Sequence, residues 1–213
     1  MKIYDLFQNY AYCLIHPFKT HELFLSNEED DNGFKPHILG IYESLGASWV
    51  FVVISGIFRI ALLNLVLFTF INFLASDESS FSLISNEDGS LGFYFLLFQT
   101  ILDVIFYPLV MLFLIQFWEF TIKLFGKALG SDENLDEKVK NIMSVALSSS
   151  ILSIIPIFGG MAQKLASLIL MYAGLRKQLN ASIALSICIM MMPVLMFLGL
   201  TSLIVLLYIL NIG

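Results

Sequence analysis

Residues 48–75 read SWVFVVISGIFRIALLNLVLFTFINFLA, twenty-eight positions with one charge, Arg59. About 20 predominantly apolar residues carry a helix across the hydrocarbon core of a bilayer. Lipid offers no partner to backbone N–H and C=O groups, so a stretch of this kind crosses as a helix that satisfies its own bonds. Four further stretches of similar character follow, at 91–125, 139–158, 161–175 and 181–212.

The composition agrees with that reading. Of the 213 residues, 58% are hydrophobic and 13% charged, and the mean hydropathy is +0.86. Soluble domains carry about 25% charged residues; this chain has too few to cover a water-facing surface. The expected fold is an all-α integral membrane bundle of five transmembrane helices, residues 48–213, preceded by a cytoplasmic lead-in at 1–47. The lipid bilayer is the first partner implied. The net charge of −6 and the lack of a basic stripe argue against nucleic acid. Cys13 and Cys188 are far apart and differently surrounded, so a disulfide framework is not expected. Residues 1–25 lack the basic start and unbroken apolar core of a secretory signal.

Lysine and arginine placement orients the bundle. Lys2, Lys19 and Lys35 precede the first span; Lys123, Lys127, Lys138 and Lys140 flank the second connection; Arg176 and Lys177 sit in the fourth. The first connection, 76–90, holds Asp77, Glu78, Glu87 and Asp88 without a cation. The expectation is a cytoplasmic amino terminus and an outside carboxyl terminus, in the inner membrane if the host is bacterial.

In the lead-in, Ile3, Leu6, Phe7, Tyr10 and Leu14 recur at helical spacing opposite Asp5, Gln8 and Asn9, the pattern of an amphipathic helix lying on the bundle or on the membrane surface. Pro17 ends or bends it. The run Asn27–Gly33 reads as a solvated acidic loop. Pro108, near the middle of the second span, predicts a kink, a tilt or an extension into the cytosol. Ser144 and Ser148 form a small-xxx-small pair suited to close helix contact. Pro156 followed by Gly159 and Gly160 predicts an abrupt reversal.

Ionisable side chains inside a membrane are costly and are functional suspects. Arg59 lies sixteen residues before Ala75 and Asp103 twelve after Leu91, so on adjacent antiparallel helices they differ in depth by only about 6 Å. They are expected to pair, either as a structural tie or as a polar site lining a cavity, with Asn64, Gln99 and Thr100 extending it. Glu119 has Lys123 four residues on, the favourable helical order. Lys164 is placed to snorkel to the outer headgroups. His16, His21 and His37 lack metal-ligand spacing, and no nucleophile, base and oxyanion donor occur together. No cofactor, metal or catalytic activity is expected.

Two stretches resemble the Yip domain family, the Ypt/Rab-interacting-protein-like membrane proteins. The first is His16-Pro17-Phe18-Lys19-Thr20-His21-Glu22-Leu23-Phe24. The second combines Ile155-Pro156-Ile157-Phe158-Gly159-Gly160 with Tyr172-Ala173-Gly174-Leu175-Arg176-Lys177, then Ala181-Ser182-Ile183-Ala184 and Pro193. They are similar to the family's Pro-x-x-Gly turn, its Tyr-x-Gly-Leu helix end and the start of its last span. The acidic first connection, Arg59 and Asp103 depart from the usual pattern. The resemblance implies five helices, a cytoplasmic amino terminus and a role in membrane organisation or trafficking; it carries over no catalytic residues. The functional expectation is therefore a non-enzymatic membrane scaffold meeting partner proteins, or further copies of itself, through helix faces. The alternative is a channel, transporter or lipid-handling protein that uses Arg59 and Asp103.

Overall fold

The computed structural model of the chain describes residues 3–26, 36–37, 39–75, 88–130, 134–156 and 158–212. The acidic loop and most of the first connection lie outside them. The described residues are helical throughout, without strands: α1 (Ile3–Ile15), α2 (Pro17–Ser26), α3 (Ile41–Ala75), α4 (Asp88–Ala128), α5 (Leu135–Leu147), a 3-10 segment (Ser148–Ile154), α6 (Gly159–Gln178) and α7 (Ile183–Ile212).

Three helices among the described residues are long and apolar enough to cross a membrane, over Ile41–Val66, Tyr94–Ala128 and Ile183–Ile209, and their surfaces are mostly exposed. They correspond to the first, second and last of the expected spans. The stretches of the expected third and fourth spans are not among these three. The third breaks at Ser148 from an α-helix into a tighter 3-10 segment, and every residue from Ile142 to Ser150 is buried. The fourth, α6, carries Lys164, Arg176 and Lys177 within its 20 residues.

The break has a local cause. The Ser148 and Ser149 hydroxyls donate to the carbonyls of Val145 (2.6 Å) and Ala146 (2.8 Å), three residues back. Such bonds compete with the α ladder and suit the tighter turn. Pro156 then forces Ile155 to an extended ψ of 118°, and α6 starts three residues later. Gly159 is required there: a Cβ on it would stand 2.5 Å from the Leu152 carbonyl oxygen and 2.9 Å from that of Ser153. The expected reversal is present, and its necessity at Gly159 is steric closeness, while a Cβ on Gly160 would meet nothing within 4 Å.

Helices in lipid gain little from apolar burial against one another, so small residues and hydrogen bonds hold them. The α3–α5 seam follows that rule. Ser44 Oγ meets Ser144 Oγ at 2.7 Å, Ser144 donates to the Leu39 carbonyl at 2.6 Å, and Ser48 donates to Ser150 Oγ at 2.9 Å. Apolar packing concentrates at the same end, where Ile122, Val139, Ile142, Leu175 and Ile189 are fully buried.

Helix α4 runs 41 residues, through Pro108, roughly 60 Å at about 1.5 Å per residue. Pro108 cannot donate to the carbonyl of Val104 four residues earlier. That carbonyl instead accepts the Trp49 indole N–H at 2.9 Å, so a side chain of α3 closes the gap in α4. Near the carboxyl end of α4, Lys123 lies 4.0 Å from Glu119 but 3.0 Å from Asp136 of α5, and that lysine holds the Asp136 carboxyl below its usual range.

Helix α1 packs on the bundle by a face slightly rotated from the expected one. Tyr10 and Cys13 are buried, with Tyr10 and Phe7 both against Phe51. Asn9, expected on the polar side, is also buried, because its amide exchanges two hydrogen bonds with the backbone of His37, at 2.8 and 3.1 Å.

Candidate functional site

The His16–Phe24 stretch meets the Tyr172–Lys177 part of the second stretch at the carboxyl end of α6. Pro17 starts α2 and sends it along the last turns of α6. His21 is buried; its Nε2 lies 3.3 Å from the Leu170 carbonyl and its Nδ1 2.8 Å from Gln178 Nε2. With Gln178 donating to Nδ1, the imidazole carries its proton on Nε2 and donates it to Leu170. Burial lowers the His21 pKa to about 4, so the ring is neutral. Gly174 makes room for it: a Cβ there would stand 3.0 Å from the imidazole and 2.8 Å from Ile142. Phe18 packs edge-on against Tyr172, and Glu22 pairs with Lys177. The α6 end is closed by Asn180 at φ 51°, with Ala181 N–H returning to Leu175 (3.2 Å) and Arg176 donating to the Ala181 carbonyl (2.6 Å). This end is a structural clasp whose ionisable ring is bonded on both nitrogens.

The opposite end of α6 opens into a groove. Arg59 stands near the middle of α3, eighteen residues from Ile41 and sixteen from Ala75, and Asp103 lies well inside the amino-terminal half of α4, fifteen residues from Asp88 and twenty-five from Ala128. Their side chains meet through one contact, Nη1 to Oδ2 at 3.4 Å, and are 54% and 56% exposed. A guanidinium can clamp a carboxylate with two short bonds; a single long one leaves most of its donors free.

Beside the pair, α3, α4, the 3-10 segment and α6 enclose a groove of about 450 Å³. Ser55, Thr100, Tyr107, Ser153, Gln163 and Lys164 supply its other polar lining. A smaller hollow of about 150 Å³ adjoins it, sharing Ser55, Arg59, Ser153 and Gly160 and adding Phe58, Leu62 and Leu63. Ser153 is only 6% exposed, and its hydroxyl is buried without a hydrogen-bond partner, a state that costs about 1–3 kcal/mol when nothing satisfies it.

The sequence reading joined Arg59 to Asp103, and they do meet. Thr100 lines the groove, and its hydroxyl donates to the Leu96 carbonyl at 2.8 Å. Asn64 and Gln99 do not line the groove. Asn64 turns back to the Ile60 carbonyl of its own helix at 2.9 Å, and Gln99 lies beyond Thr100, the groove's last α4 residue. Lys164, expected at the outer headgroups, lines the groove because α6 begins beside Arg59. Gln163, Ser153 and Tyr107 had no sequence signal; only the break between the 3-10 segment and α6 brings them there. Pro156, Gly159 and Gly160 form that break, while Gly174 belongs to the clasp.

Among the described residues no group of His, Cys, Asp and Glu could hold a metal ion. No family model, curated protein or solved structure matches the chain.

Proposed function

We propose that this chain is a non-enzymatic lipid-handling membrane protein that admits a phospholipid headgroup into the groove and eases its passage between leaflets. The observation that carries this reading is the exposed Arg59–Asp103 pair, placed at least fifteen residues from either end of two long apolar helices and opening onto a 450 Å³ groove. An ion pair serving only to fix helix register gains most by closing on itself; this one faces outward. A polar foothold at mid-depth lowers the cost of bringing a charged headgroup into hydrocarbon, where an unmatched ion is strongly disfavoured.

The proposed topology has α1 and α2 in the cytoplasm and α3, α4 and α7 crossing the membrane. The hairpin of α5, the 3-10 segment and α6 enters from the lysine-bearing side. Its turn is level with Arg59, while α3 and α4 continue about 24 Å further at the usual helical rise. Irregular backbone at that depth is tolerated where it lines a cavity. This arrangement keeps the lysine-rich connections on one face, as a five-span arrangement also does.

Reconstitution into liposomes containing a fluorescent phospholipid tests the function. Externally added dithionite is expected to bleach inner-leaflet label with wild-type protein, and Arg59→Gln to slow that phase at least tenfold. Bleaching that matches protein-free liposomes, or that ignores Arg59→Gln, overturns the reading. The scaffold alternative is supported by α7, whose side chains are exposed along most of its length; it predicts that the variant changes nothing.

A further inference from the structure

The groove is built for an anion, and we infer that its ligand is the phosphodiester of an anionic phospholipid, one with net charge −1 and no amine. This rests on the lipid-handling reading above and names the class of headgroup.

Four independent features converge. The groove and its adjoining hollow are lined by two cations, Arg59 and Lys164, against one carboxylate, Asp103. In a low-dielectric setting an uncompensated charge is strongly disfavoured, and with Arg59 paired to Asp103 the Lys164 ammonium is the cation of the groove that has no ion-pair partner among the described residues. A headgroup of net −1 brings the sum to zero, whereas a zwitterion leaves it at +1. The amino terminus of α6 faces the same space, since Gly160, Gln163 and Lys164 are on its first turns. Its preceding residue is Phe158, which gives no side-chain cap, and its first turn contains no acid. The Gly159 N–H already donates to the Ile155 carbonyl at 3.0 Å, so the Gly160 N–H and the positive end of the dipole of this 20-residue helix are what α6 offers an anion. Ser153, buried and unpartnered on the groove wall, adds a hydroxyl donor. Arg59 retains free guanidinium donors beside its single contact to Asp103.

The roles divide accordingly. Lys164, the α6 amino terminus and Arg59 take the phosphate oxygens, and Asp103 offsets one of the two positive charges. Phe106 and Val110, half-exposed apolar residues on the groove lip, meet the acyl chains. The lipid, rather than a soluble phosphate, is the occupant because the pair opens sideways from the middle of apolar helix faces.

Purified full-length protein in nanodiscs, titrated with phosphatidylglycerol, phosphatidylethanolamine and phosphatidylcholine, tests this by native mass spectrometry of the retained lipid. Retention of phosphatidylglycerol is expected to exceed that of phosphatidylcholine about tenfold. Lys164→Gln is expected to abolish the preference, Lys164→Arg to keep it, and Asp103→Asn to strengthen it, because removing the carboxylate raises the groove's charge. Equal retention of the three lipids, or a preference untouched by Lys164→Gln, overturns the anion class while leaving the liposome result on Arg59→Gln to stand or fall alone. Weakening of phosphatidylglycerol retention by Asp103→Asn overturns it too, by showing that the carboxylate binds a cationic group. Displacement of the lipid by millimolar inorganic phosphate assigns the site to a soluble anion and overturns the lipid source.

Discussion

His21 shows how one residue ties two distant stretches. Its imidazole is a neutral donor–acceptor between Leu170 and Gln178, and burial holds its pKa near 4 against an ordinary 6.5. Between those values the unfolded chain binds a proton that the folded chain refuses. Stability is therefore complete above pH 6.5 and is lost as pH falls toward 4, by up to about 3 kcal/mol. The thermal midpoint in detergent should drop between pH 7.5 and pH 5 in wild type. His21→Gln, which keeps a donor and an acceptor, should flatten that dependence; an equally steep fall in the variant assigns it elsewhere.

At the scale of helices, two joints decide the architecture. The first is the repair of α4 by Trp49. Trp49→Phe leaves the Val104 carbonyl unpaired and should cost about 1–3 kcal/mol. Adding Pro108→Ala supplies the missing N–H within α4 and should recover most of the loss, so a double-mutant cycle on unfolding measures the joint directly. Additive losses would show that the indole bond is not a substitute for the helical one. The second joint is the turn into α6. Gly159→Ala drives a methyl into two backbone carbonyls and should destabilise by about 1–3 kcal/mol, while Gly160→Ala should stay within about 0.5 kcal/mol. Thermal unfolding of the pair reads the difference, and equal losses would contradict the close approach at Gly159.

For the molecule as a whole, much of the plan was legible because bilayer physics writes it in long apolar runs. Residues 48–75, 91–125 and 181–212 announce helices by length alone, and the serines at 144 and 148 announce a close seam. The depth bookkeeping that paired Arg59 with Asp103 needed only the helical rise. What the sequence could not carry was rotation and interruption. The 139–158 run looks continuous in hydropathy, yet hydroxyls bonding back to the carbonyls tighten it into a 3-10 segment. Lys164 looked like a headgroup anchor because nothing in the sequence placed the start of α6 beside Arg59. Asn9 looked solvated because the backbone at His37, its partner, is 28 residues away.

The clasp also sets an order of events when the chain is made. Gln178 follows His21 by 157 residues, which a ribosome adding about 5–20 residues per second needs on the order of ten to thirty seconds to reach. Throughout that interval α1 and α2 have no α6 to hold, and their apolar stripe must shelter against the bilayer surface or a chaperone. The amphipathic character of the first helix thus serves a nascent polypeptide waiting for its own distant end.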